Sequence, residues 1–289
     1  MPDAARIESL PALAADSHHG WRAQLSLAFT RTGSRTRLSR RAHVGPLVVQ
    51  KPFYPEGDEV CQCIIVHPPG GIAGGDSIEL QADVGAGAHA QLTTPGAAKW
   101  YRAAGRRAAQ SIAFNVAADA ILEWCPQGTI VFDGADARSN LRVALRGNAR
   151  YIGWDTVCLG RTASDERFGS GSWRQWVDIE RDDALVWSER ASVRGASRLL
   201  SSPVGLNAAP VFGTFVAVPF DCNPALLAEY RIHTPMEGEG GVTCIGDVLI
   251  ARYRGQSSEA AHAYFITLWS VVRPRMIGRA AVLPRIWRT

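Results

Sequence analysis

The sequence has only two lysines, Lys51 and Lys99, so nearly all of its 31 basic residues are arginine. No apolar run approaches the ~20 residues that span a bilayer, which argues against a membrane helix. Gly-x-x-x-x-Gly-Lys-Ser/Thr is missing, and with it the loop that cradles nucleotide phosphates. His-Glu-x-x-His is missing too, and Gly169-Ser170-Gly171 does not meet the Gly-x-Ser-x-Gly pattern of a hydrolase elbow. None of the six cysteines (Cys61, Cys63, Cys125, Cys158, Cys222 and Cys244) forms a Cys-x-x-Cys pair. Apart from the adjacent His18 and His19, the seven histidines are scattered singly. Nothing in the sequence therefore calls for catalysis, although groups distant in sequence can still meet in space.

The formal charge is only +4, because 27 acidic residues offset the arginines. Two arginine clusters stand out, Arg35, Arg37, Arg40 and Arg41, then Arg102, Arg106 and Arg107. They lack interleaved aromatic residues at stacking positions, so a solvated face or an acidic protein partner fits them better than nucleic acid. The N-terminal stretch is polar and has no charged region followed by an apolar one, so we expect no secretory signal and a cytoplasmic location. In that compartment a disulfide framework is not expected, and the cysteines read as buried free thiols. Cys61 and Cys63 would share a strand face with His67 four residues on, a poor match to zinc spacings with no fourth ligand in view.

With 46% hydrophobic and 20% charged residues in 289, the chain can bury a large core. Period-two alternation recurs: Trp21, Ala23, Leu25, Leu27 and Phe29; Ile78, Leu80, Ala82 and Val84; Ile112, Phe114 and Val116; Leu141, Val143 and Leu145. Glycine-bearing breaks separate these runs, so they read as short half-buried strands in stacked sheets, a barrel or an irregular solenoid. No repeat of fixed length appears. Two helices are expected. One opens at Asn223-Pro224 and covers Ala225 to Ile232. The other starts near Ser258, with Ala261, Tyr264, Phe265, Leu268 and Val272 on one face, and stops before Pro274. We expect residues 1–18 to be a flexible tail and residues 19–289 one domain.

The stretch His67-Pro68-Pro69-Gly70-Gly71-Ile72-Ala73-Gly74-Gly75-Asp76 ends an apolar strand in a tight bend. Its carboxylate introduces a wider pattern. Asp76 has the parity of Ile78 and Leu80, Asp155 that of Tyr151 and Val157, and Glu189 that of Trp187 and Val193. Glu123 lies between Ile121 and Cys125. Four acids thus point toward a core, where each would cost several kcal/mol unpaired. They are explained by pairing with arginines or amides, by general acid–base chemistry as in glycoside hydrolases, or by an internal wet passage for a cation. Parity alone does not choose among these.

Several ordered segments carry a resemblance. They are His43-Val44-Gly45-Pro46-Leu47, Gln50-Lys51-Pro52-Phe53-Tyr54-Pro55-Glu56-Gly57, His67 through Asp76, and Thr93-Thr94-Pro95-Gly96-Ala97-Ala98-Lys99-Trp100-Tyr101-Arg102. Further on come Leu122-Glu123-Trp124-Cys125-Pro126-Gln127, Gly153-Trp154-Asp155, Cys158-Leu159-Gly160-Arg161 and Val282-Leu283-Pro284-Arg285-Ile286-Trp287. From about Trp21 to Thr289 the chain resembles the urease accessory protein D family, also called H. The resemblance implies a mostly-β, irregular β-helix-like winding of stacked sheets with two α-helices, mainly in the C-terminal third. It implies a maturation chaperone without turnover, which binds apo-urease and an F-type accessory protein that recruits a nickel-carrying G-type GTPase. No tightly bound cofactor is implied, only Ni²⁺ in transit, and no nucleic-acid or membrane partner. The family's tunnel positions match Asp76, Asp155 and Glu189, three of the acids that parity turns inward, and we place Glu123 as a fourth member of that transit path.

Two positions depart from the family pattern. Gly128 stands where relatives commonly carry an acid, and Asp165 replaces a glycine before Glu166, which suggests a different loop. Lys99 and Arg102 are either partners of the buried acids or surface residues. The competing readings are a polysaccharide-active β-solenoid enzyme using paired carboxylates, and a nickel store at Cys61, Cys63 and His67.

Overall fold

A computed structural model describes residues 7–9 and 20–288. The chain passes repeatedly between two facing sheets. The first holds, in spatial order, β1 (Ile7–Ser9), β3 (Arg35–Val44), β2 (Arg22–Thr32), β6 (Ser77–Val84), β9 (Ala108–Val116), β12 (Asp136–Leu145), β14 (Ser172–Arg181) and β15 (Ala184–Arg194). The second runs β17 (Glu239–Ile245), β18 (Val248–Gly255), β16 (Val211–Val218), β13 (Arg150–Leu159), β10 (Ile121–Cys125), β7 (His89–Thr93), β5 (Val60–Val66) and β4 (Val48–Phe53). Two short strands, β8 (Ala98–Trp100) and β11 (Thr129–Val131), pair with each other, and β11 pairs with β13.

Within the first sheet β2, β6, β9, β12 and β14 run parallel, and within the second so do β5, β7, β10 and β13. Each circuit of the chain lays a strand on each sheet, which makes the fold an irregular solenoid-like winding of mostly β structure. Parallel register stacks like on like: Leu25, Leu80, Ile112, Leu141 and Val177 lie side by side on successive strands and face the second sheet. The alternating residues Ala23, Leu25, Leu27 and Phe29 of β2, and Ile78, Leu80, Ala82 and Val84 of β6, are all buried there, as period two requires. Antiparallel β14–β15, β13–β16 and β16–β18 pairs close the winding.

A second core lies on the outer face of the second sheet. There α3 (Ser258–Ile277) packs Ala261, Tyr264, Phe265, Leu268 and Val272 over Trp154, Phe215 and Ala217, with α2 (Pro224–Arg231) beside it. Asn223 caps α2, its side-chain oxygen accepting from the Ala225 amide at 2.9 Å. A third, short helix, α1 (Arg198–Ser201), precedes β16.

Two expectations need correction. Helix α3 does not stop before Pro274 but continues to Ile277, where Gly278 in the left-handed region donates its amide to the Pro274 carbonyl at 2.9 Å. Proline forfeits one helical bond in the last turn, and the cap holds the turn beyond it. Cys222 and Cys244 are joined in a disulfide, while Cys61, Cys63, Cys125 and Cys158 are free and buried. The expected tail over 1–18 lies outside the described residues except for Ile7–Ser9, which pairs parallel with Arg41–His43.

Candidate functional site

A cavity of about 300 Å³ lies between the sheets, bounded at one side by the His67–Ile72 bend and by Thr94–Lys99. Glycine makes the bend possible. A Cβ on Gly71 would fall 2.2 Å from the Tyr101 ring, and one on Gly74 2.0 Å from the Ala103 carbonyl oxygen. Most of the cavity wall is apolar, and a strip of polar side chains crosses it. Gln110, Ser139 and Gln175 occupy equivalent positions on adjacent strands β9, β12 and β14 and line the cavity together, Ser139 donating to Gln110 Oε1 at 3.3 Å.

That strip leads to two facing carboxylates. Asp155 comes from β13 in the second sheet and Glu189 from β15 in the first, and both line the cavity. Gln175 donates its side-chain N–H to Asp155 Oδ2. Asp155 is half-buried and lines the cavity. Burial, helped by the neighbouring Glu189 charge, pushes its carboxyl up to about 7 against the bonds from the Thr156 amide and Gln175. Glu189 lies beside Val177 and so ends the Leu25–Leu80–Ile112–Leu141–Val177 ladder with a charge. Its Oε1 accepts from Thr214 Oγ1 at 3.1 Å and stands 3.1 Å from Arg252 Nη1. Asp155, Thr214, Arg252 and Gly241 occupy one row across β13, β16, β18 and β17.

The four acids singled out by sequence do not form one constellation. Asp155 and Glu189 meet. Asp76, at the start of β6, does not line the cavity; its Oδ1 accepts from the Trp21 amide and its Oδ2 from the Ala73 amide, both at 2.8 Å. It bears on the site only through His67, a cavity residue whose imidazole is lowered by burial and raised by the Asp76 charge. Glu123 lies on the other face of the second sheet, under α3. It takes His89 Nε2 at 2.7 Å, Trp269 Nε1 at 2.7 Å and the Arg273 guanidinium at 2.9 and 3.0 Å. Burial pushes Glu123 up, but His89 and Arg273 together outweigh it and hold the carboxyl at about 2. This acid is locked in a structural network and does not reach the cavity, contrary to its expected place on the path.

The polar residues around the acid pair, Gln110, Ser139, Gln175, Thr214 and Arg252, escape the sequence argument, which tested parity for carboxylates only. The signal was present. Gln175 sits between Trp173 and Val177 on the inward parity of β14, and Thr214 between Phe212 and Val216 on that of β16. Lys99 lines the cavity mouth while exposed, and Arg102 faces Asp133 at 3.6 Å. Arg41 spends its guanidinium on the Val49 and Gln50 carbonyls, and Arg35, Arg40 and Arg107 stand beside Asp58, Asp83 and Asp136. Cys61 and Cys63 are fully buried in the inter-sheet core, where the bond to Cys61 and burial push the Cys63 thiol well up. Among the described residues no three His, Cys, Asp or Glu side chains come together as a metal cage. Among them, too, no helix is long and apolar enough to cross a membrane.

The family model described as UreD urease accessory protein matches residues 21–288. The chain belongs to the UreD family. A urease accessory protein UreD of Dechloromonas aromatica is 49% identical over 285 residues, covering 97% of this chain and 99% of its own. Those of Pseudomonas aeruginosa and Azoarcus sp. are 50% identical over 273 residues and 47% over 270, covering 94% and 93% of this chain and 96% and 95% of theirs. UreD relatives are named as accessory proteins and not as catalysts, and this chain is an accessory protein rather than an enzyme. That sets aside the glycan-hydrolysing use of the acids.

Proposed function

We propose that the protein is a urease maturation chaperone that helps Ni²⁺ reach the apo-urease active site, and that the ion passes the Asp155–Glu189 pair on its way. The observation that carries the reading is the polar strip Gln110–Ser139–Gln175, which leads through a mostly apolar interior to two carboxylates from opposite sheets. A lone structural acid needs one partner, not a hydrophilic lane. The cavity volume of about 300 Å³ exceeds many times the ~15 Å³ that one water needs, so a hydrated cation has room. Carboxylate and water oxygens hold Ni²⁺ less tightly than thiolate or imidazole sets, which suits passage rather than storage.

On this reading the cargo is substrate, and the protein keeps no resident cofactor. Its partners are apo-urease and an F-type accessory protein, with a G-type GTPase joined through the latter, and the work is done in the cytoplasm by one domain over residues 19–289. Neither nucleic acid nor a membrane takes part. Asp76 acts at a distance, holding the bend that carries His67 to the cavity mouth. Co-purification with apo-urease and the F-type protein, followed by GTP-dependent activation, tests the assignment. Assembly of the complex with no gain in urease activity over apo-urease alone would refute it.

A further inference from the structure

One feature of the acid pair is not explained by a passage alone. Glu189 already has a cation. Arg252 Nη1 stands 3.1 Å from Glu189 Oε1, with the arginine side chain 58% exposed and that of Glu189 18%. The guanidinium therefore reaches the carboxylate from the solvent side, at the lateral edge of the two sheets. Next to it in the row is Gly241, where the space a side chain would take is open within 4 Å. On the cavity side stand Thr214 and Asp155. Thr214 donates to the same oxygen, Oε1, and Glu189 Oε2 accepts no hydrogen bond among the described residues. One carboxylate oxygen is thus shared by Arg252 and Thr214, and the other is not engaged by either.

We propose that Arg252 is the gate of the acid pair, a resident cation that closes the edge of the cavity over Glu189 and is displaced by a divalent cation. The inference rests on the passage reading above and adds its regulation. A divalent ion drawn to Asp155 and Glu189 meets a positive charge already in place, and like charges at such range repel strongly where water is scarce. Binding must therefore move the guanidinium outward, which opens the edge as the ion arrives. Trp187 offers it a resting place, since the Arg252 Cζ lies 6.0 Å from that ring. An exposed arginine loses little on leaving, because water takes over its hydrogen bonds. Arg252 is a positioning and gating residue. It holds Glu189 in the empty state and competes for it in the loaded one.

The test is equilibrium dialysis of Ni²⁺ against the isolated full chain, for the wild type, Arg252→Gln, Arg252→Met, Arg252→Lys, Glu189→Gln and the Arg252→Gln/Glu189→Gln double variant. Removing the competing charge in Arg252→Gln or Arg252→Met tightens Ni²⁺ binding by about two- to fivefold, the weight of one exposed ion pair. Arg252→Lys keeps the charge and stays near the wild type. The gain vanishes in the double variant, which a merely structural arginine would not produce. Unchanged affinity in both neutral variants, with binding weakened by Glu189→Gln, overturns the gate and leaves the passage standing. Affinity indifferent to Glu189→Gln as well overturns both.

Discussion

Arg273 and Glu123 form a bidentate pair, Nε to Oε2 at 2.9 Å and Nη2 to Oε1 at 3.0 Å, with neither side chain exposed at all. The same guanidinium donates to both oxygens of Glu56 at 2.8 Å and to the Ala280 carbonyl. One side chain of α3 thereby ties down β10, the turn after β4 and the chain beyond the helix. The network explains how a helix with a proline in its last turn stays docked on the second sheet.

Breaking this pair strands a buried charge. Arg273→Met and Glu123→Gln are each expected to lower unfolding free energy by about 3–5 kcal/mol, with the double variant costing less than the sum. Urea denaturation of the three variants checks it. Additive losses would show that the two residues do not act on each other.

The pair also sets an acid limit. The Glu123 carboxyl is held at about 2 in the fold against an ordinary 4.5, so its contribution is present above pH 4.5 and lost as pH falls toward 2. A melting-temperature series over that window should slope less steeply for Glu123→Gln than for the wild type. Parallel slopes would mean that other groups govern acid unfolding.

Asp155 has the opposite sign. Its carboxyl is raised to about 7 from 3.8, so burying it costs nothing below pH 3.8, costs more as pH rises, and reaches its full cost above 7. Asp155→Asn is expected to match the wild type in stability near pH 4 and to exceed it by a few kcal/mol at pH 8. Guanidinium denaturation at the two pH values reads the difference. A variant that is less stable at pH 8 would mean that the carboxylate is well satisfied in the fold.

Helix α3 approaches the second sheet through Gly213, where a Cβ would lie 2.6 Å from the Asp155 carbonyl oxygen and 2.8 Å from the Phe265 ring. Gly213→Ala should therefore destabilise by about 1–3 kcal/mol through overpacking. The urea midpoint measures it, and an unchanged midpoint would show that helix and sheet can part without cost.

Much of this arrangement was legible before any coordinates. Period two placed Glu189 inward because β15 buries only one face, whereas β13 is buried on both faces and Asp155 fell on the inward side without a clear parity signal. Glu123 misled because Ile121-Leu122-Glu123-Trp124-Cys125 is apolar on both parities: Leu122 and Trp124 face the inter-sheet core, and Cys125 faces α3. A strand buried on both faces carries no parity signal. Asp76 had the right parity, but it stands before its strand begins, where its short carboxylate takes the amides of nearby Ala73 and of Trp21 from the preceding circuit. The parallel winding left no sequence repeat because the stacked positions Ile78, Gln110, Ser139 and Gln175 are separated by unequal lengths of chain. Arg252 alternates with Arg254 as if on a solvent face, and only the facing Glu189 gives it meaning. The Cys222–Cys244 bond joins positions that no motif links.

The central claim is that Ni²⁺ passes Asp155 and Glu189, and urease activation in the assembled complex tests it most directly. Asp155→Asn and Glu189→Gln should fold, assemble with the F-type protein and apo-urease as the wild type does, and leave urease with about a tenth of its activity or less, a loss worth at least one pairwise metal–carboxylate interaction. Asp155→Asn is the sharper of the two, because the same substitution is expected to stabilise the fold at the assay pH. Full activation by both variants, in complexes of normal composition, would contradict the account.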